Sequence, residues 1–159
     1  MSSFLITRPI SEAEQTGAKM ERMGFRAAYA PMLRVEPVSF EIPDEKRSLI
    51  ITSKNGARFG LANIGKKGRP IFAVGEQTAA EARELGFTNI TVGPGTARQL
   101  VPLLLECGLT QKREYAHLCG SVVSYNIASV LQDAGLDAVS TVTYQTVPNR
   151  VFSPSVQEE

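Results

Sequence analysis

The sequence predicts an α/β protein built on parallel sheet, with one domain complete and a second begun but not finished. Three observations carry that expectation. Short apolar runs alternate with amphipathic stretches along the 159 residues. Four glycine-centred helix stops fall in register with that alternation, and one strand–helix–strand unit occurs twice.

The candidate strands are residues 4–7, 27–30, 48–52, 71–74, 89–92, 115–119 and 138–143. Helical patterns lie between most of them, near 12–23, 55–64, 77–85, 96–107 and 123–134. Strands that alternate with helices in this way form a parallel sheet covered by helices. The stops are Met23-Gly24-Phe25, Leu85-Gly86-Phe87, Cys107-Gly108-Leu109 and Ala134-Gly135-Leu136. In each, a glycine is expected in the left-handed position, with the next apolar residue packed back on the last turn.

The repeat sets Gly24-Phe25-Arg26-Ala27 against Gly135-Leu136-Asp137-Ala138, an offset of 135 − 24 = 111 residues. Met20 then falls on Leu131 and Pro37 on Pro148. So long a period excludes a solenoid and implies two related parallel-sheet domains. Residues 36–43 and 145–150 are polar, Pro-containing and strand-like, and they bracket a block of five strands. They read as a two-stranded linker, with linker segments 36–40 and 146–150. Residues 41–145 are then an inserted, complete domain, and 1–35 with 151–159 an incomplete outer one. Two strands and a helix cannot bury a core alone. At the end, Ser153 as cap, Pro154 in the first turn and the Ser155/Glu158 pair form a helix-start pattern, with a frayed tail as the alternative reading.

Composition narrows the function. Hydrophobic residues at 43% and charged residues at 21% indicate a globular chain. A net charge of +1 gives no reason to expect a nucleic-acid or membrane-surface partner. It leaves room for an acidic small molecule held by local donors. The only cysteines, Cys107 and Cys119, make no C-x-x-C pair, and the lone His117 is too little for most metal sites. The apolar run near the start is too short for a signal-peptide core. The expected location is the cytoplasm, with both thiols reduced.

Ligands of open α/β sheets bind at the carboxyl ends of the strands. Thr52, Ser53 and Asn55 follow one strand with hydroxyls, an amide and free helix-start N–H groups, a setting that suits an anion. Helix capping by Ser53 or Asn55 explains them equally well. Gly75 and Thr78 form a second such loop, again open to a capping role. Cys119 and Gly120 form a third, where glycine permits close approach and the thiol is better read as a small hydrophobe. His117 reads as structural. Tyr144 ends the last strand of the block, where its phenol could donate a proton or pack as a linker aromatic. Thr7 and Arg8 follow the first strand; Arg8 could pair with a carboxylate or be an ordinary surface arginine. Gly93-Pro94-Gly95-Thr96-Ala97-Arg98 sits where a dinucleotide fingerprint would, but Arg98 stands where the third glycine belongs.

Taken in order, several short motifs resemble bacterial uroporphyrinogen-III synthases. They are Leu5-Ile-Thr-Arg-Pro9, Ala13-Glu-Gln-Thr16, Pro31-Met-Leu-Arg-Val-Glu-Pro37, Leu49-Ile-Ile-Thr-Ser-Lys-Asn-Gly56, Ala73-Val-Gly-Glu-Gln-Thr-Ala79, Leu118-Cys-Gly120 and Val142-Thr-Tyr-Gln-Thr146. Each is weak alone, and the ordered set spans nearly all of the chain. The resemblance implies two α/β domains with a cleft between them. It implies a monomer that converts hydroxymethylbilane to a macrocycle, with loss of water and inversion of the last pyrrole ring, and needs no cofactor. Thr52 and Ser53 match the family's first cleft loop, Thr78 its second, and Tyr144 the tyrosine thought to help the hydroxyl depart. Family members continue well beyond Glu159, with three more strands and a second Ser/Thr cluster expected there. The alternatives are a non-enzymatic module that binds a small anionic ligand, and a degraded gene product without function.

Overall fold

The computed structural model describes residues 3–150. The helix start expected at 153–158 lies outside the described residues. The chain divides into two units, residues 1–36 with 146–159, and residues 37–145.

In the first unit, strands β1 (Ser3–Ile6) and β2 (Arg26–Tyr29) pair in parallel, joined by helix α1 (Ile10–Arg22). Phe4 meets Phe25 edge to face at 5.0 Å. The unit gathers in its returning segment through Asn149. Its backbone N–H donates to Met32 O and its amide to Pro31 O.

The second unit runs β4 (Ser48–Ile51), α2 (Lys54–Leu61), β5 (Ile71–Ala73), α3 (Glu76–Glu84), β6 (Ile90–Val92), α4 (Ala97–Gln111), β7 (Tyr115–Gly120) and α5 (Ile127–Asp133) into β8 (Ala138–Pro148). Strand β3 (Leu33–Pro37) lies at the boundary between the units, and the sheet order within the second unit is β8-β7-β4-β5-β6. The five strands from β4 to β8 are all parallel. The chain winds from β4 outward to β6, then crosses back past β4 to β7 and β8. Helices α2 and α3 therefore cover one face, where Leu49, Ile51, Ala57, Leu61 and Leu118 pack. Helices α4 and α5 cover the other, over Ile50, Phe72, Leu104, Tyr115 and Leu131. The order of winding reverses between β4 and β7. At such a switch point two neighbouring loops diverge and leave a crevice.

Three of the four expected stops are present. Gly24, Gly86 and Gly135 have φ of 84°, 87° and 85°. Phe25, Phe87 and Leu136 each donate back to the carbonyl five residues earlier, the geometry of a Schellman end. The fourth is corrected: α4 runs through Gly108 to Gln111 and ends at left-handed Lys112. Gly108 is needed for close approach, since a Cβ there would strike Leu136 and lie 3.2 Å from the Tyr115 ring. The Tyr115 phenol donates to Leu104 O at 2.8 Å, and burial pushes its pKa up to about 12. Two element boundaries also differ. Strand β3 begins at Leu33, ahead of the strand-like stretch expected at 36–43. Helix α5 starts at Ile127 rather than near 123, because Asn126 caps it by accepting from Ser129 N–H. Residues 121–126 are thereby freed as a loop over the switch point.

Candidate functional site

Ser53 is extended and follows β4 after one intervening residue, Thr52. Its hydroxyl accepts from Gly56 N–H at 2.9 Å, so it does cap α2. The same oxygen lies 3.0 Å from the Tyr144 hydroxyl. Capping and site geometry are thus properties of one side chain.

Tyr144 reaches that position through an irregularity in β8. Pairs Tyr115↔Ala138 to Cys119↔Val142 run in step, but Gly120 pairs with Tyr144, so Thr143 is an extra residue. Side chains alternate along a strand. Without the bulge Tyr144 would face α4 and α5, as Ala138 does. With it, Tyr144 turns to the α2 face, where its ring meets Phe59 at 6.1 Å. Thr143 is fully buried and its hydroxyl donates to Cys119 O at 3.3 Å, which satisfies the interrupted ladder. Gly120 leaves room for the ring, because a Cβ there would lie 2.8 Å from it. Bulges beside functional sites commonly re-aim one side chain in this way.

These groups line a cavity of about 230 Å³ at the carboxyl ends of the strands. Thr52, Ser53, Cys119, Gly120 and Tyr144 all border it. Asn55, Gly75 and Thr78 do not. Asn55 lies one residue into α2, Gly75 caps α3 without a side chain, and Thr78 is buried in the first turn of α3 at 6% exposure. Thr7 and Arg8 belong to the first unit, where Arg8 pairs with Glu12 at 2.7 Å.

Sequence reasoning passed over the remaining walls. Gly95, Thr96 and Ala97 line the cavity, as do Val122 to Tyr125. The glycine loop is tied to β5, with Gly93 N–H donating to Ala73 O and Gly95 N–H to Val74 O, both at 2.7 Å. Thr96 then caps α4 by accepting from Gln99 N–H. The loop follows the carboxyl end of β6 (Ile90–Val92), the position where the strand-end rule places ligands, although it lacks the third glycine of a dinucleotide fingerprint. The Arg98 guanidinium lies 4.9 Å over the Tyr125 ring, a stacked cation beside the cavity wall.

The electrostatics favour dipoles over charges. Burial pushes the Cys119 thiol up, so it stays protonated. Burial pushes His117 down to about 4, so its ring is neutral near pH 7. His117 is 1% exposed, and its Nε2 lies 2.9 Å from Thr52 Oγ1. What faces the cavity are hydroxyls and the amino ends of α2 and α4, whose partial positive charge attracts anions. Among the described residues no three His, Cys, Asp or Glu side chains converge as metal ligands, and no helix is long and apolar enough to cross a membrane.

No curated protein matches the chain. Two solved structures resemble it at 20% identity: a uroporphyrinogen-III synthetase from Helicobacter pylori (TM-score 0.63) and a mutant uroporphyrinogen III synthase from the extremely thermophilic bacterium Thermus thermophilus (TM-score 0.61). The matches cover 99% and 94% of this chain. The chain in turn spans only about two thirds of those structures, 67% and 64%. At that identity the likeness establishes the fold. Residues 14–159 match the family model HEM4, uroporphyrinogen-III synthase HemD, and the chain therefore belongs to the uroporphyrinogen-III synthase family.

Proposed function

We propose that the chain acts in tetrapyrrole biosynthesis as a uroporphyrinogen-III synthase, a lyase that closes hydroxymethylbilane with loss of water and inversion of the last pyrrole ring. The observation that carries this reading is the Ser53–Tyr144 pair at the cavity, in a chain of this family.

The substrate bears carboxylates on every ring. The hydroxyls of Thr52 and Thr96 and the starts of α2 and α4 offer donors for them, with Arg98 adding charge nearby. Tyr144 is the general acid. Its phenol gives a proton to the terminal hydroxyl, the C–O bond breaks, and water leaves with the bonding pair. The pyrrole nitrogen stabilises the resulting azafulvene cation. Ser53 steadies the phenol before transfer and donates to the phenolate after it. Ring attack, spiro rearrangement and closure then follow from the substrate's own reactivity, constrained by how it is held. The proton lost on closure restores the tyrosine, so the sum is loss of one water. Asn55, Gly75 and Thr78 carry less of this reading, since none lines the cavity. The free thiols of Cys107 and Cys119 suit the reducing cytoplasm.

The test supplies freshly generated hydroxymethylbilane and resolves the products as type I and type III isomers. An excess of type III is expected. Only type I, at the protein-free rate, would overturn the proposal. Porphyrin binding without type III product would support the non-enzymatic alternative instead.

A further inference from the structure

His117 has no place in the chemistry above, yet it stands directly behind the cavity. It lies mid-strand in β7 on the face of α4 and α5, beside Ile50 of β4 and Ser140 of β8 in register. Its Nε2 meets the hydroxyl of Thr52, and Thr52 borders the cavity. Its Nδ1 is buried with no hydrogen-bond partner. The two neutral tautomers are therefore unequal. With the proton on Nδ1, an N–H would be orphaned in the core. With it on Nε2, only a lone pair is unmatched, and orphaned N–H groups are the rarer case in folded proteins. The Nε2–H tautomer makes the ring the donor and Thr52 Oγ1 the acceptor. The single hydroxyl hydrogen of Thr52 is then released from the ring and free to point at the cavity.

We propose that His117 is a positioning and specificity residue: by donating from Nε2 it fixes Thr52 as a donor toward the cavity, selecting a carboxylate on the ligand. The opposite tautomer would make the ring an acceptor, tie up the hydroxyl hydrogen, and present oxygen lone pairs that repel an anion. The carboxylate ligand rests on the reading under Proposed function; the direction of the hydrogen bond does not.

Two measurements separate these. The ring nitrogen resonances of His117 in the unliganded full chain report the tautomer, with Nε2 in the protonated range and Nδ1 in the unprotonated range expected. The reverse overturns the proposal, whatever the chain binds. The second measurement titrates uroporphyrin I, a carboxylate-bearing porphyrin, into the parent chain and three variants by fluorescence. Losing one donor to a charged acceptor should weaken binding about tenfold to a hundredfold in Thr52→Val and His117→Leu. His117→Gln, whose Nε2–H can occupy the same place, should stay within about twofold of the parent. Equal affinity for His117→Leu and parent beside a weakened Thr52→Val would overturn the role of His117 and leave the function standing. No binding by the parent would count against the carboxylate ligand and so against the specificity claim. If His117→Leu fails to fold, Thr52→Val, His117→Gln and the parent's tautomer still decide the matter.

Discussion

At the scale of single residues, Tyr144 is held from three sides: Gly120 beneath its ring, Phe59 beside it and Ser53 at its hydroxyl. Removing only the oxygen should leave the ring in place. Tyr144→Phe is thus expected to keep the parent's melting behaviour while type III formation falls by about tenfold to a hundredfold, at or below the low end for general acids. The fall stays limited because the rearrangement is the substrate's own. Product assay beside thermal unfolding checks both halves. His117 gives a second prediction, on stability. Burial lowers its pKa from 6.5 unfolded to about 4 folded. Between those values the unfolded chain binds more protons, so stability is complete above pH 6.5 and drains away as pH falls toward 4. By pH 4.5 the loss due to this ring should be about 2–3 kcal/mol. Denaturant unfolding of the parent and His117→Gln at about pH 7 and about pH 4.5 measures it, since the carboxylates common to both cancel. Equal acid losses in the two would contradict it.

At the scale of elements, the site depends on how closely α2 lies on β7. A Cβ at Gly56 would come 2.7 Å from the backbone oxygen of Leu118, and one at Gly60 would come 2.9 Å from the Leu118 side chain. The Leu118 side chain at Gly60 can give, whereas the carbonyl cannot. Gly56→Ala should therefore lift the start of α2, cost about 1–3 kcal/mol as overpacking does, and draw Ser53 away from Tyr144. Loss of type III product beyond what the stability change explains, compared with Gly60→Ala, is the expected signature. This contrast also explains what the sequence could disclose. Gly24, Gly86 and Gly135 end helices by a local rule written in three neighbouring residues, so they were legible. Gly108 carries the same local pattern, but its purpose is room for Leu136 and Tyr115, and no local pattern records that. Thr52 and Ser53 were legible as a strand-end loop. The bulge at Thr143 was not, because it exists only as a register between two strands. Nor was the His117–Thr52 contact, which joins residues 65 apart in sequence.

At the scale of the whole molecule, the two units are unequally equipped to fold. Both hydrophobic clusters, from Leu49 to Val139, fall within residues 37–145. That stretch also closes its amino-terminal edge by its own means. The Arg47 fork donates to both oxygens of Asp137 at 2.8 and 3.0 Å, and buried Arg69 donates to the carbonyls of Pro43, Asp44 and Arg47. Its length, 145 − 37 + 1 = 109 residues, is that of an ordinary single domain. A fragment of residues 37–145 should unfold in one cooperative denaturant transition, somewhat below the main transition of the full chain. The deficit comes from cutting β8 at Gln145, short of its end at Pro148. Residues 1–36 alone hold two paired strands and one helix, too little to offset the entropy of ordering. As a separate peptide they should show little ordered structure by circular dichroism. A broad, non-cooperative transition for the 37–145 fragment would mean that its two cores need the first unit. The cavity, whose lining residues all belong to 37–145, would then need it too. A cooperative fragment that still binds uroporphyrin I would instead place the carboxylate-binding half of the site in this unit by itself.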